Sequence, residues 1–143
     1  MKRLIIIAFA FLFSISSLLA QNMDNPKVQQ MRKEFYSENL QFTAEESEGF
    51  WPVYEKFQSD EKTLKKNYKA NKDIKFMTDA EAEAHIKNML EFDEKRAALK
   101  KEYVNQFLKV LSVRKVAMIE KVERQFKQNL IKRVKNRQGK HGP

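Results

Sequence analysis

Apolar residues recur every three or four positions through most of this chain, a spacing typical of helices that are buried on one face. An Asn-Pro pair precedes the first such run, and both residue types are frequent at the start of a helix. Val28, Met31 and Phe35 continue the run at helical spacing. The pattern predicts a first helix over about residues 26–39.

A capping box predicts that a second helix begins just after Thr43. In this motif the Thr43 hydroxyl accepts a hydrogen bond from the amide of Glu46, while the Glu46 carboxylate accepts one from the amide of Thr43. Because aromatic residues at helical spacing usually face the core, we expect the stripe that follows to be buried, and a client-binding groove is the alternative interpretation. This stripe consists of Phe50, Tyr54, Phe57, Leu64 and Tyr68.

A third helix follows a polar connection at residues 71–77, where Thr78 and Glu81 repeat the capping box. Its apolar positions predict a helix that continues to about residue 111. The predicted apolar face consists of Ile86, Met89, Leu90, Ala97, Val104, Phe107 and Leu111.

Ser112 offers a cap for a fourth helix, which the spacing of apolar residues continues to about residue 136. Residues 138–143 are polar and rich in Gly, and we expect them to form a disordered basic tail. Four helical patterns without a strand pattern predict a single all-α domain over residues 21–137. The stripe of the fourth helix consists of Val116, Ile119, Val122, Phe126, Leu130 and Val134.

The first twenty residues have the features of a secretory signal peptide. Lys2 and Arg3 give a positive start, and residues 4–13 are apolar without interruption. This run is short for a membrane span, although an uncleaved anchor is the alternative interpretation. Ala20 supplies the small residue expected before the cleavage site, so the mature chain should begin at Gln21 in the periplasm.

Composition narrows the classes of function. The chain has no Cys and three Gly, which excludes a disulfide or thiolate metal site and argues against a glycine-rich phosphate loop. We expect no catalytic site and no cofactor, because only two His are present and one lies in the predicted tail. Glu81, His85 and Met89 lie at four-residue intervals on one helix face, but three side chains spread over two turns do not converge on one ion. No metal site is therefore predicted.

Charge is distributed unevenly along the chain. Residues 21–94 hold 11 basic and 16 acidic side chains, whereas residues 95–143 hold 15 basic and 3 acidic ones. Such a basic segment is typical of a solvated face, of a nucleic-acid-binding helix or of a surface that contacts anionic lipids. Export argues against a nucleic acid as the partner. The other two interpretations stay open.

Two short segments resemble the paired LTxxQ motifs of the Spy/CpxP family of periplasmic chaperones and stress modulators. They are FTAEE at residues 42–46 and LSVRK at residues 111–115. The residues at 50–54, FWPVY, also resemble a branch of small exported proteins described as sensors linked to extracytoplasmic-function sigma factors. The departures from the motif are Phe42 for Leu, Ser112 for Thr, and Glu46 and Lys115 for the final Gln.

This resemblance implies an antiparallel helical homodimer, built from long helical hairpins and shaped as a thin cradle, that binds unfolded or partly folded envelope proteins without ATP. The alternative is a modulator of envelope-stress or metal signalling that binds a membrane-bound regulator. A positive surface attracts acidic unfolded chains at long range, so we assign client binding to basic residues of the second half. These are Lys109, Arg114, Lys121, Arg124, Lys127 and Lys132.

Overall fold

A computed structural model describes residues 25–68 and 73–139, and most of these residues are helical. No strand occurs in the two ranges, which confirms the predicted all-α class. The predicted signal peptide lies outside them, as do residues 140–143 of the predicted tail. The helices are α1 (Pro26–Leu40), α2 (Ala44–Asn67), α3 (Asp79–Phe107) and α4 (Val113–Gly139), with a 3-10 turn at Ile74–Phe76.

Local start signals account for where the first three helices begin. The Asn25 side chain accepts a hydrogen bond from the amide of Lys27 at 2.9 Å, and Pro26 occupies the first turn of α1. Capping boxes open α2 and α3, in which Thr43 pairs with Glu46 and Thr78 pairs with Glu81. Each box satisfies two backbone amides that a helix start leaves without an intrahelical partner.

The described residues divide into two compact units. The terminal unit comprises residues 25–42 and 118–139, and the central unit comprises residues 43–68 and 73–117. In the terminal unit, Val28 of α1 is buried with Phe126 and Leu130 of α4. The rings of Phe35 and Phe126 lie 5.8 Å apart in the same cluster.

Aromatic rings form the core of the central unit. Trp51 and Tyr54 of α2 are buried, and their rings lie 5.5 Å apart edge to face. Rings of α2 meet rings of α3 in opposite order along the two helices, so α2 and α3 pack side by side in antiparallel directions. The pairs are Phe50 with Phe107 at 5.1 Å, Phe57 with Tyr103 at 5.1 Å, and Tyr68 with Phe92 at 5.7 Å.

The apolar face predicted for α3 is wrong over most of its length. Only Phe107 and Leu111 of that set are buried, and Leu111 lies beyond the helix, which ends at Phe107 instead of near residue 111. The face that packs on α2 carries Phe92, Tyr103 and Phe107, which also fit helical spacing. The aromatic rings of α3 bury a large area and pair favourably with the rings of α2. The helix therefore turns its aromatic side, and not its aliphatic side, toward α2.

Helix α4 continues to Gly139, two residues into the segment predicted as a tail. It buries Val122, Phe126 and Leu130, members of its predicted stripe. Across the described ranges, no helix combines the length and the apolar character needed to cross a membrane.

Candidate functional site

The most unusual surface of the central unit is an exposed apolar row on α3, which we call the α3 stripe. It consists of Ile86, Met89, Leu90, Ala97 and Val104, which share one side of the helix because they are three, four or seven residues apart. Ile86 and Leu90 are 53% and 56% exposed. Exposed apolar rows of this kind mark binding surfaces more often than scattered apolar residues do.

Two more exposed apolar side chains lie in the 3-10 turn before α3. Ile74 and Phe76 are 61% and 66% exposed, and the Lys75 ammonium lies 4.7 Å from the centroid of the Phe76 ring. The central unit therefore presents apolar surface both in this turn and along α3.

A polar cluster joins α2 to α3 beside the aromatic core. The Tyr103 hydroxyl donates to Asp60 at 2.5 Å, and Lys56 donates to Asp60 at 2.8 Å and to the Tyr103 oxygen at 3.1 Å. The hydrogen bond from Lys56, followed by that from Tyr103, lowers the pKa of Asp60. Burial, followed by the bond to Asp60, raises the pKa of Tyr103.

A second cluster of the same composition lies further along the same two helices. The Tyr68 hydroxyl donates to Glu91 at 2.8 Å, and Lys95 donates to the Tyr68 oxygen at 2.6 Å and contacts Glu91 at 2.8 Å. In both clusters the Lys and the carboxylate are four residues apart on one helix. The Tyr comes from the other helix in the first cluster, where Tyr103 lies in α3, and from the end of the other helix in the second, where Tyr68 follows α2. These directional bonds fix the register of α2 against α3 and leave the α3 stripe uncovered.

The two segments that resemble LTxxQ motifs meet through their last residues. Lys115 Nζ lies 2.6 Å from Glu46 Oε2, and both side chains are about one-fifth exposed. The hydrogen bond from Lys115, followed by that from the Thr43 amide, lowers the pKa of Glu46. The Lys115 amide lies 3.4 Å from Ser112 Oγ, so the cap of α4 is looser than that of α2.

The six basic residues assigned to client binding are all exposed, and they are divided between the two units. Lys109 lies in the turn after α3, and Arg114 lies in the first turn of α4, both within the central unit. Lys127 Nζ lies 3.2 Å from Glu123, which places its charge at the edge of the terminal core. Among the four in the terminal unit, Lys121, Arg124 and Lys132 lie on the side of α4 opposite its buried residues.

A buried arginine in the terminal unit was not anticipated from the sequence. Arg32 has no exposed surface, and its guanidinium lies 3.8 Å from Glu123 and 4.9 Å from the centre of the Phe126 ring. Tyr36 donates to the same Glu123 carboxylate at 2.6 Å. The sequence feature that could have revealed it is the position of Arg32 four residues after Val28, which places a charged residue within the apolar stripe of α1.

One of the residues considered for metal binding, Glu81, belongs to a helix cap. The Glu81 carboxylate accepts a hydrogen bond from the Thr78 amide at 2.7 Å, so a metal would have to compete with a helix cap. No cluster of three or more His, Cys, Asp or Glu side chains suited to a metal ion occurs within residues 25–68 and 73–139.

Comparison of the chain with protein-family models, with curated proteins and with solved structures finds no match. The likeness to the Spy/CpxP family therefore rests on the short motifs alone.

Proposed function

We propose that this protein is an ATP-independent chaperone, or holdase, that captures unfolded or partly folded proteins in the bacterial envelope. One observation carries the proposal, namely the exposed α3 stripe on a unit whose aromatic core is already complete without it. Apolar segments of an unfolded client gain free energy when they leave water, so they can bind this surface without a chemical step.

The composition of the stripe suits clients of varied sequence. Ile86, Met89 and Leu90 are aliphatic, and Met adapts to many contact shapes because its side chain is unbranched and polarisable. Exposed lysines such as Lys87 and Lys101 lie on the same helix and keep the apolar surface in solution. Weak, adaptable contacts favour many clients over one specific partner.

The remaining features of this proposal come from the sequence and from the motif resemblance. They are export to the periplasm, a homodimer and a cradle-like arrangement of the hairpins. A dimer could cover part of the apolar surface that one subunit leaves exposed, while the basic residues of α4 attract acidic clients over longer distances.

The test is an aggregation assay with a chemically unfolded client, the purified mature chain and no nucleotide. The variant Ile86→Ser with Leu90→Ser should bind clients about tenfold more weakly, because two side chains lose part of their apolar burial in the complex. A matched control is Val113→Ser with Met118→Ser, which removes exposed apolar side chains from α4 and should leave capture unchanged.

Two results would contradict the proposal. One is that an equimolar amount of the parent chain leaves client aggregation unchanged, which favours a modulator that binds one membrane-bound regulator. The other is that the α3 variant and the control reduce capture equally. Since all four positions are exposed, circular dichroism should show the parent's helical content in both variants.

A further inference from the structure

The outer side of α4 in the terminal unit carries a row of cations, which we call the outer stripe. It consists of Lys121, Arg124, Lys132 and Lys135, with Gln128 between the two pairs. Successive members of the row are three or four residues apart, so they lie on one side of the helix. The row is about 21 Å long at 1.5 Å per residue, and all five side chains are exposed.

The opposite side of the helix is occupied by the terminal core. Val122, Phe126 and Leu130 are buried there, so the apolar side of this part of α4 is covered and cannot insert into a bilayer. Arg124 lies 3.6 Å from Glu120, but an exposed pair of this kind contributes little and leaves the guanidinium open to other anions. Within the described residues, Lys121, Lys132 and Lys135 have no carboxylate within ion-pair distance.

The chemistry of the row favours one class of partner. Specific protein interfaces are centred on buried aromatic or apolar anchors, and single-stranded nucleic acids stack on aromatic rings. The outer stripe contains neither, because all its members are long, polar side chains on an exposed side of the helix. Such side chains match a dense, laterally mobile array of phosphates, in which each Lys or Arg near the surface adds to the attraction.

We propose that the outer stripe binds the surface of an anionic membrane by electrostatic contact with lipid phosphates, without insertion. Membrane binding by the outer stripe does not depend on the chaperone activity proposed above. Such binding would hold the terminal unit at the bilayer, where envelope proteins emerge or assemble.

The test is cosedimentation of the purified mature chain with vesicles. Vesicles containing phosphatidylglycerol should bind the chain at low ionic strength and release it in 1 M salt, where the Debye length is about 3 Å. Pure phosphatidylcholine vesicles should not bind it. The variant Lys121→Glu, Lys132→Glu, Lys135→Glu should bind anionic vesicles at least about 100-fold more weakly.

The control variant changes the net charge equally at exposed lysines elsewhere, through Lys27→Glu, Lys66→Glu and Lys101→Glu. Its affinity for anionic vesicles should fall by less than about tenfold, because only the overall electrostatic field of the protein is altered. Equal losses in the two variants would overturn the proposal and leave a non-specific charge effect. Equal binding of neutral vesicles would also overturn it, since that result assigns attachment to apolar contacts.

Discussion

Thr43 shows how strongly one side chain can define a helix end. Its hydroxyl accepts from the Glu46 amide at 3.1 Å, and its own amide donates to Glu46 at 2.9 Å. We expect Thr43→Ala to lower the free energy of unfolding by about 0.5–2 kcal/mol, measured from denaturant midpoints. Ser112→Ala should have a smaller effect, because its oxygen lies 3.4 Å from the Lys115 amide. Equal losses would contradict this ranking of the two caps.

The carboxylate of Glu46 should make stability depend on pH. The hydrogen bond from Lys115 lowers its pKa in the folded state, so its contribution is present above the unfolded pKa of about 4.3 and is lost as pH falls through the folded value. Glu46→Gln keeps a residue type that completes a capping box but removes the charge. Urea midpoints should show the variant less stable at pH 7 and the difference shrinking toward pH 3.

Glu45→Gln is the matched control for that experiment, because Glu45 is an exposed carboxylate in the same helical turn. It should give a smaller difference that changes less with pH. A difference between Glu46→Gln and the parent that stays constant from pH 7 to pH 3 would rule out the charge pair with Lys115 as its source.

Gly49 lies inside α2, where Ala would normally be more stable by about 1 kcal/mol. A Cβ at this position would lie 2.7 Å from Val110 Cγ1, and a valine side chain has little freedom to move away. We therefore expect Gly49→Ala to destabilise the protein by about 1–3 kcal/mol. In a Val110→Ala background the same change should become neutral or stabilising. A double-mutant cycle in denaturant measures the coupling, and additivity would exclude the contact.

At the scale of the element, α3 separates stability from binding on two sides of one helix. Phe107 is 4% exposed in the aromatic core, so Phe107→Ala should lower the free energy of unfolding by about 3–5 kcal/mol. Ile86→Ala and Leu90→Ala should each change it by less than about 0.5 kcal/mol, because both side chains are exposed. Denaturant midpoints that fall strongly for either exposed position would show that the stripe belongs to the folded core.

Helix starts were predictable because their causes are local. The Asn-Pro pair and the two capping boxes lie within four residues of the amides that they satisfy, so the sequence contains the whole interaction. The side of α3 that is buried was not predictable in the same way. Two sides of that helix have apolar residues at helical spacing, and the rings of α2 decide between them through contacts distant in sequence, such as that between Phe57 and Tyr103.

The candidate surfaces were predictable only in part for the same reason. Composition alone indicated a basic second half, and the six residues assigned to client binding belong to it and are exposed. Their grouping depends on neighbours distant in sequence, since Glu123 contacts Lys127 as well as Arg32 and Tyr36 of α1. The α3 stripe was expected to be buried and could be recognised as a surface only after the packing partner of α3 was known.

At the scale of the whole molecule, charge and apolar surface should control different steps of client capture. Long-range attraction acts before contact and affects the association rate, whereas buried apolar contacts mainly set the dissociation rate. Charge reversal at Arg124, Lys127 and Lys132 should therefore slow association with an acidic unfolded client and reduce its salt dependence. The variant Ile86→Ser with Leu90→Ser should speed dissociation instead.

Stopped-flow binding at low and high salt distinguishes these effects. At high salt the association rate of the charge variant should approach that of the parent. Charges are already screened within about 8–10 Å at ordinary ionic strength, so more salt removes the long-range attraction that gives the parent its faster association. The stripe variant should remain weaker at every salt concentration, because apolar contacts are not screened. If charge reversal changes neither rate with an acidic client, the basic side chains are only a solvated face, and capture depends on the apolar surface of the central unit alone.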